Sequence, residues 1–316
     1  MHVYLNLGFN PDGGSVGPEL LHKIKSSGFR GIRQDVPEDH DHAWALLREL
    51  STEDVIWLLA GGHMTRSDGQ PWQPDALVDH VRDTCVKLRE VGALSSAGDL
   101  ALEIGNEPDN AHEFWKSQPQ LLASTFRRCC EVVREFSAGV PILTPSVKNL
   151  KTDEPGLGLH YLEAMMATGE VPVDAHVAAH RYPPGLTHSQ PHKGFSSRRA
   201  EVQALREIAG DRPIWITETG RTEGPQVIRS GLFGWRREEK WLTEEQVRDY
   251  AREELLFWGT AGVEAVVWYQ LNDGDDRKNY LNTFGIRRSD GNWKPVATAL
   301  PTIIADATAR TSTARA

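Results

Sequence analysis

Eight short runs rich in Val, Ile and Leu recur along this 316-residue chain, with helical patterns between them. They are VYLNLG (3 to 8), RGIRQDV (30 to 36), VIWLLAGG (55 to 62), LALEIGN (100 to 106), VPILTPS (140 to 146), DAHVAAHRY (174 to 182), RPIWITET (212 to 219) and VEAVVWYQL (263 to 271). Strands that alternate with helices pair in parallel through right-handed crossovers. Eight such units over about 300 residues predict an α/β fold, a single closed (β/α)8 TIM barrel spanning residues 1–308. The rival, an open doubly wound sheet, calls for a glycine-rich phosphate loop after the first strand, and LGFNPDGGSVG lacks the required strand-to-helix spacing. No internal repeat, linker or second domain is visible. The end TARTSTARA is small, polar and without apolar period, and is expected to form a flexible tail over 309–316.

Two helices can be read in detail. In QPDALVDHVRDTCVKLREVG, Pro74 suits a first turn, and Leu77, Val81, Cys85 (or Thr84) and Leu88 keep helical spacing before Gly92. In LTEEQVRDYAREELLFWG, Thr243 and Gln246 fit a capping box, and Leu255 and Trp258 share a stripe before Gly259. Long loops follow the sixth and seventh strands, about 183–196 and 220–242, on the barrel face that carries chemistry.

Charge narrows the partners. A formal net charge of -9 and an isoelectric point near 5.8 argue against nucleic acid, which needs a basic stripe, and against an anionic membrane surface. No apolar run is long enough to cross a bilayer. Cys85, Cys129 and Cys130 have neither disulfide-framework nor metal-type spacing and read as buried free thiols. MHVYLNLGFN reads as a strand from Val3 and not as a signal sequence, so a cytoplasmic location is the default expectation, or a secreted one if a leader has been removed.

The fourth and seventh strands end on carboxylates, Glu107 before Pro108 and Glu218 two residues before Gly220. A closed barrel brings both to one mouth. Two carboxyl groups facing across a sugar can divide labour, one protonating the leaving oxygen while the other attacks the anomeric carbon; about 5–5.5 Å between them gives retention, and about 6.5–9.5 Å inversion. EIGNEPDNAHEFW resembles the fourth-strand signature of glycoside hydrolase families 39 and 79 and, more loosely, family 5, all in clan A; WITETG is similar to their seventh-strand ending. The resemblance implies that Glu107 is the acid/base, Glu218 the nucleophile and Asn106 a donor to the sugar 2-hydroxyl. It further matches Arg33 to a second-strand arginine near the nucleophile, His180 and Tyr182 to a sixth-strand His-x-Tyr, and Trp268 to an eighth-strand sugar platform. A retaining O-glycoside hydrolase acting on a β-linked carbohydrate is therefore expected, with no metal or cofactor. A nucleophile must stay ionised, and Arg33 or Tyr182 would favour that; the charge of Glu218 is expected to raise the pKa of Glu107, keeping it protonated.

Other readings compete. A barrel that binds glycans without cleaving them would not need both carboxylates, and a metal-dependent barrel hydrolase finds few ligands. His176 and His180 lie about 13 Å apart along a strand, too far for one ion, and HDH at 40–42 sits at a helix start. Glu103 shares the inward phase of Glu107 and calls for a basic partner. Asp109 and Glu223 lie in loops beyond the strand ends and are weaker rivals for the carboxylate roles. Trp57 and Trp215 read as packing; Trp72, Trp115, Trp235 and Trp241 flank catalytic-side loops. His188, His192, Lys193, Arg198, Arg199, Arg221, Arg229, Arg236 and Arg237 would favour an acidic sugar if they converged on the cleft.

Overall fold

The computed structural model describes residues 1–8, 17–38, 40–94, 100–110, 113–152, 154–183, 190–224, 226–230, 236–276 and 279–314; for 40, 113, 226–230, 236–240, 280 and 312–314 only the backbone element is described. Each of the eight apolar runs contains a strand: β1 His2–Asn6, β2 Gly31–Asp35, β3 Val55–Leu59, β4 Ala101–Ile104, β5 Ile142–Leu143, β6 Val177–His180, β7 Ile214–Thr219 and, after two further strands, β10 Ala265–Tyr269. The extra pair, β8 Gln226–Ser230 and β9 Arg236–Lys240, is an antiparallel hairpin inside the long loop after β7. All eight barrel strands run parallel in the order β5-β4-β3-β2-β1-β10-β7-β6. Parallel bridges from Leu143 to His176 and from Val147 to Ala179 join β5 to β6, closing the ring.

The inward phase of the strands fills the barrel with Tyr4, Ile56, Ala101, Leu143, Ala178, Trp215, Ala265 and Val267. The outward phase packs against the surrounding helices. This double burial is why the strands read as continuous apolar runs. Trp57 and Trp215 are buried strand residues, and the indole of Trp215 donates to His176 at 2.9 Å.

The helix Pro74–Glu90 starts at Pro74 and buries Leu77, Val81, Thr84, Cys85 and Leu88, as its spacing predicts. The helix Glu244–Ala261 carries the Thr243/Gln246 capping box, but it continues through Gly259 to a left-handed Gly262. Gly259 serves close approach instead: a Cβ there would stand 2.5 Å from the carbonyl oxygen of Ala307 in the last helix. That helix, Pro295–Ala314, takes in most of the stretch expected to form a tail. It extends through Ala314, with Thr311 buried and its hydroxyl 3.2 Å from the Ala307 carbonyl. Alanine's helix propensity and packing on the preceding helix outweigh a small, polar composition. Among the described residues no helix is long and apolar enough to cross a membrane.

Candidate active site

The site is anchored by Arg33, buried at the inward phase of β2. Its guanidinium donates three ways: Nε to Glu103 Oε2 at 2.6 Å, Nη1 to Glu218 Oε1 at 2.8 Å and Nη2 to Asn106 Oδ1 at 3.1 Å. One planar fork thus ties β2 to the ends of β4 and β7. Glu103 completes the anchor, accepting also from Thr217 Oγ1 at 2.8 Å, so it is the structural ion pair its phase requires.

Glu218 owes its direction to an irregularity. From inward Trp215, strict alternation would turn Thr217 inward and Glu218 outward. Both neighbouring ladders shift register here, between Ala179 and His180 on β6 and between Val266 and Trp268 on β10. Such a bulge re-aims side chains beside active sites. Thr217 and Glu218 both reach the inner network, while the Thr219 hydroxyl turns out to Glu254 at 3.1 Å. Glu218 Oε2 accepts from the phenol of Tyr182 at 2.6 Å. Burial, followed by the charge of Glu218, pushes the Tyr182 hydroxyl well above its ordinary pKa, so it remains a donor.

Glu107 is held differently. Its backbone is left-handed (φ 45°), and its amide donates to Ser146 at 2.8 Å. His180 Nδ1 lies 2.9 Å from Oε1; His63 Nδ1 lies 3.1 Å from Oε2, which also accepts from Asn110 Nδ2 at 3.1 Å. Asn110 in turn accepts from Lys148 Nζ at 2.8 Å. Burial pushes the Glu107 carboxyl up, but hydrogen bonds from His180 and His63 outweigh it and hold the group well below the usual carboxylate range. This corrects the expectation that the charge of Glu218 would raise it. The imidazoles move the other way. Burial opposes charge on His180, and Glu218 and Glu107 overcome it; at His63 the hydrogen bond to Glu107 is the largest influence, and it raises the pKa.

Nearest donor atoms of Glu107, His180 and Glu218 lie within 4.8 Å of one another, a spacing an ion could bridge. Each is already committed to a hydrogen bond, and the Arg33 cation adjoins Glu218, so the arrangement reads as a proton-sharing cluster.

Trp268 is not at the mouth. It is fully buried, in the outward phase of β10 with Val266, and its ring lies 6.3 Å from that of Tyr250 in the helix layer. Period two from inward Val267 delivers Tyr269 instead, half-buried, with ring centroids 6.0 Å from Tyr182 and 5.6 Å from Phe284. Asp35, two residues beyond Arg33, is another group that motif matching misses. Burial raises its carboxyl to about 6; Arg33 opposes that, and Glu218 and Glu103 add to it. Gly61 leaves room for it, since a Cβ there would stand 2.6 Å from Asp35 Oδ2.

The rival carboxylates are structural. Asp109 accepts from the amides of Lys148 and Gly158 at 3.0 and 2.9 Å, bracing the loops after β4 and β5. Glu223 pairs with buried Lys294 at 3.2 Å. Several of the basic residues that would favour an acidic sugar if they met at the cleft face elsewhere: Arg198 pairs with Glu254 at 2.9 Å and His192 with Glu201 at 2.9 Å, behind β6 and β7. Arg221 is buried, 5.7 Å from the Tyr250 ring, and Arg199 is exposed. His188 and Trp235, and the side chains of Arg229, Arg236 and Arg237, lie outside the described residues. Trp72 and Trp115 are buried, whereas Trp241 is exposed beside the loop after β7.

With two carboxylates at the ends of β4 and β7 around one arginine, comparison with known proteins becomes decisive. Residues 87–281 match the family model described as glycosyl hydrolase catalytic core. The chain belongs to this family. It is a glycoside hydrolase, and no curated protein matches its sequence.

Solved structures share the barrel at low identity. A family 39 glycoside hydrolase from the gut symbiont Bacteroides cellulosilyticus WH2 superposes with a TM-score of 0.68 at 15% identity, over 96% of this chain and 63% of that one. A GH5_18 protein from Bifidobacterium longum subsp. infantis gives 0.66 at 17%, over 97% and 79%. An exo-β-1,4-mannosidase from Opitutaceae bacterium strain TAV5 gives 0.65 at 17%, over 100% and 60%. The glycoside hydrolase therefore spans under two thirds of the first and last of these relatives. The fold is that of the family 39 and family 5 enzymes whose strand-end motifs its sequence resembles.

Proposed function

We propose that this glycoside hydrolase cleaves a β-linked glycoside with retention, by double displacement through a glycosyl ester on Glu218. The observation that carries the reading is the pair of carboxylates, one oxygen of each lying within 4.8 Å of one oxygen of the other, close enough to exclude a water between them. In the first step Glu218 attacks the anomeric carbon, the bond to the leaving oxygen breaks, and Glu107 supplies the proton that oxygen needs. In the second, Glu107 takes a proton from water, the water oxygen bonds to the anomeric carbon, and the ester breaks.

The supporting residues have separable tasks. Arg33 and Tyr182 aim the two oxygens of Glu218, leaving little orientational freedom to lose on attack. Asn106, fixed through its Oδ1 by Arg33, keeps its amide donors for a sugar hydroxyl. His180 spans the two carboxylates, 2.9 Å from Glu107 and 3.5 Å from Glu218. Tyr269 offers the ring face at the end of the eighth barrel strand. A β-linked carbohydrate substrate is supported by neighbours that include the exo-β-1,4-mannosidase and a GH5_18 complex with Manb1-4GlcNAc.

The test is stereochemical. A panel of aryl glycosides identifies a cleaved substrate, and proton NMR of the first-formed sugar reads its configuration before mutarotation. A β product from a β-glycoside is expected; an α product would overturn the double displacement.

A further inference from the structure

The mechanism above leaves its acid without an obvious proton, because the surroundings of Glu107 favour its ionised form. An unassigned residue stands beside it. His63 follows β3 in a segment whose backbone is left-handed at Ala60, Gly62, His63 and Met64, with φ between 53° and 61°. For a residue with a Cβ that conformation costs about 1–2 kcal/mol, so Ala60, His63 and Met64 form a strained turn that the surrounding fold must hold. The clamp is visible. Met64 is fully buried and packs so tightly on Gly105 of the Glu107 strand that any Cβ there would run into its sulfur. The amide of Gly105 donates to Leu59 at 2.8 Å, and that of Trp72 to Met64 at 3.0 Å. The turn is thus locked onto the strand end bearing Glu107, and His63 Nδ1 comes to 3.1 Å from Glu107 Oε2. Persistent strain of this kind points to function.

The second histidine on Glu107 is also pulled towards its charged form by the two carboxylates, but it is less suited to exchanging a proton with solvent. His180 is wholly buried, and its Nε2 has no hydrogen-bond partner among the described residues. A proton there would be an orphan donor, an expensive state. The His63 side chain is 51% exposed, so its far nitrogen can be hydrated while Nδ1 engages Glu107.

We propose that His63 is a positioning residue that holds the acid's proton: imidazolium and Glu107 carboxylate share one proton across the Nδ1 to Oε2 contact. This rests on the assignment of Glu107 as acid/base. As the glycosidic bond breaks, the shared proton passes through Glu107 to the leaving oxygen and His63 becomes neutral. As water attacks the glycosyl ester, its proton returns through Glu107 to His63. The groups acting on His63 are Glu107 and Glu218, which favour its charge, and Lys148, which opposes it; His180 lies across Glu107.

His63→Asn separates proton holding from geometry, because asparagine tolerates the left-handed region and can donate to Glu107 but cannot carry the proton. The basic limb of kcat/KM should move to lower pH. At pH 7 alkyl glycosides should lose about 10²-fold in rate, and dinitrophenyl glycosides, which leave without help, far less. An unmoved basic limb, or equal losses on both substrates, would overturn the proposal. A readout free of turnover distinguishes its failure from that of the glycosidase assignment. Side-chain nitrogen NMR of wild type should place the His63 midpoint above 6.5, and Glu107→Gln should lower it. A midpoint indifferent to Glu107→Gln contradicts the shared proton whether or not any glycoside is cleaved.

Discussion

The two carboxylates of the site stand within one hydrogen-bond network yet keep different company. Glu218 accepts from a guanidinium and a phenol, groups that hold their protons throughout the neutral range. Glu107 is flanked by two imidazoles, the one side chain whose ordinary titration falls there. Apart from His180, which also reaches Glu218 at 3.5 Å, one carboxylate is bound by groups that keep their protons and the other by groups that can give theirs up. The roles proposed for the two carboxylates in double displacement fit that contrast: a nucleophile must not gain a proton, and an acid/base must gain and lose one in every cycle.

The contrast can be broken at either end. Glu218→Ala removes the atom proposed to attack and should lower kcat by about 10⁴-fold or more on every substrate, since no neighbour can replace a nucleophile. Glu107→Gln should cost about 10²–10⁴ on poorly activated leaving groups and much less on activated ones; a series of aryl glycosides of graded leaving-group acidity measures the difference. Matching losses across that series would erase the distinction between the two sides.

The anchor gives a stability counterpart. Arg33→Met strands Glu103, which is fully buried, and should destabilise by about 3–5 kcal/mol in urea unfolding. Adding Glu103→Gln should recover much of that loss, because it removes the uncompensated charge.

Asp35 offers the smallest effect and a sign that can be checked. Its carboxyl titrates near 6 in the folded protein, above its ordinary 3.8, so the fold prefers it protonated. Stability is therefore undiminished below about pH 4 and falls as pH rises towards 6, by about 3 kcal/mol in all. Asp35→Asn should be more stable than wild type at pH 7–8 and no more stable at pH 3.5, in denaturant unfolding at the two pH values.

Much of this was legible in the sequence. Eight apolar runs foretell eight strands because a parallel sheet buried on both faces leaves no polar phase to confuse the pattern. Glu107, Glu218, Asn106, His180 and Tyr182 come together because each lies at or just beyond a strand end that closure brings to one mouth, and Arg33 reaches them from the inward phase of β2. What escaped depends on phase and on loop geometry. Trp268 resembles a platform by neighbourhood, yet alternation from Val267 turns it outward and brings Tyr269 in; the alternation was there to be counted. Glu218 defeats the same count, since only the bulge in β7 turns it inward, and no residue type announces a bulge. His63 lies in a strained turn whose one sequence signal is the Gly61-Gly62 pair before it, and the hairpin after β7 hides in an expected loop.

Covalent trapping tests the central claim most directly. Incubation with an activated 2-deoxy-2-fluoro-β-glycosyl fluoride of the cleaved sugar, followed by peptide mass spectrometry, should find one fluorosugar attached to the peptide bearing Glu218. A label on Glu107, or on Glu223 instead, would contradict the assignment of the two carboxylates.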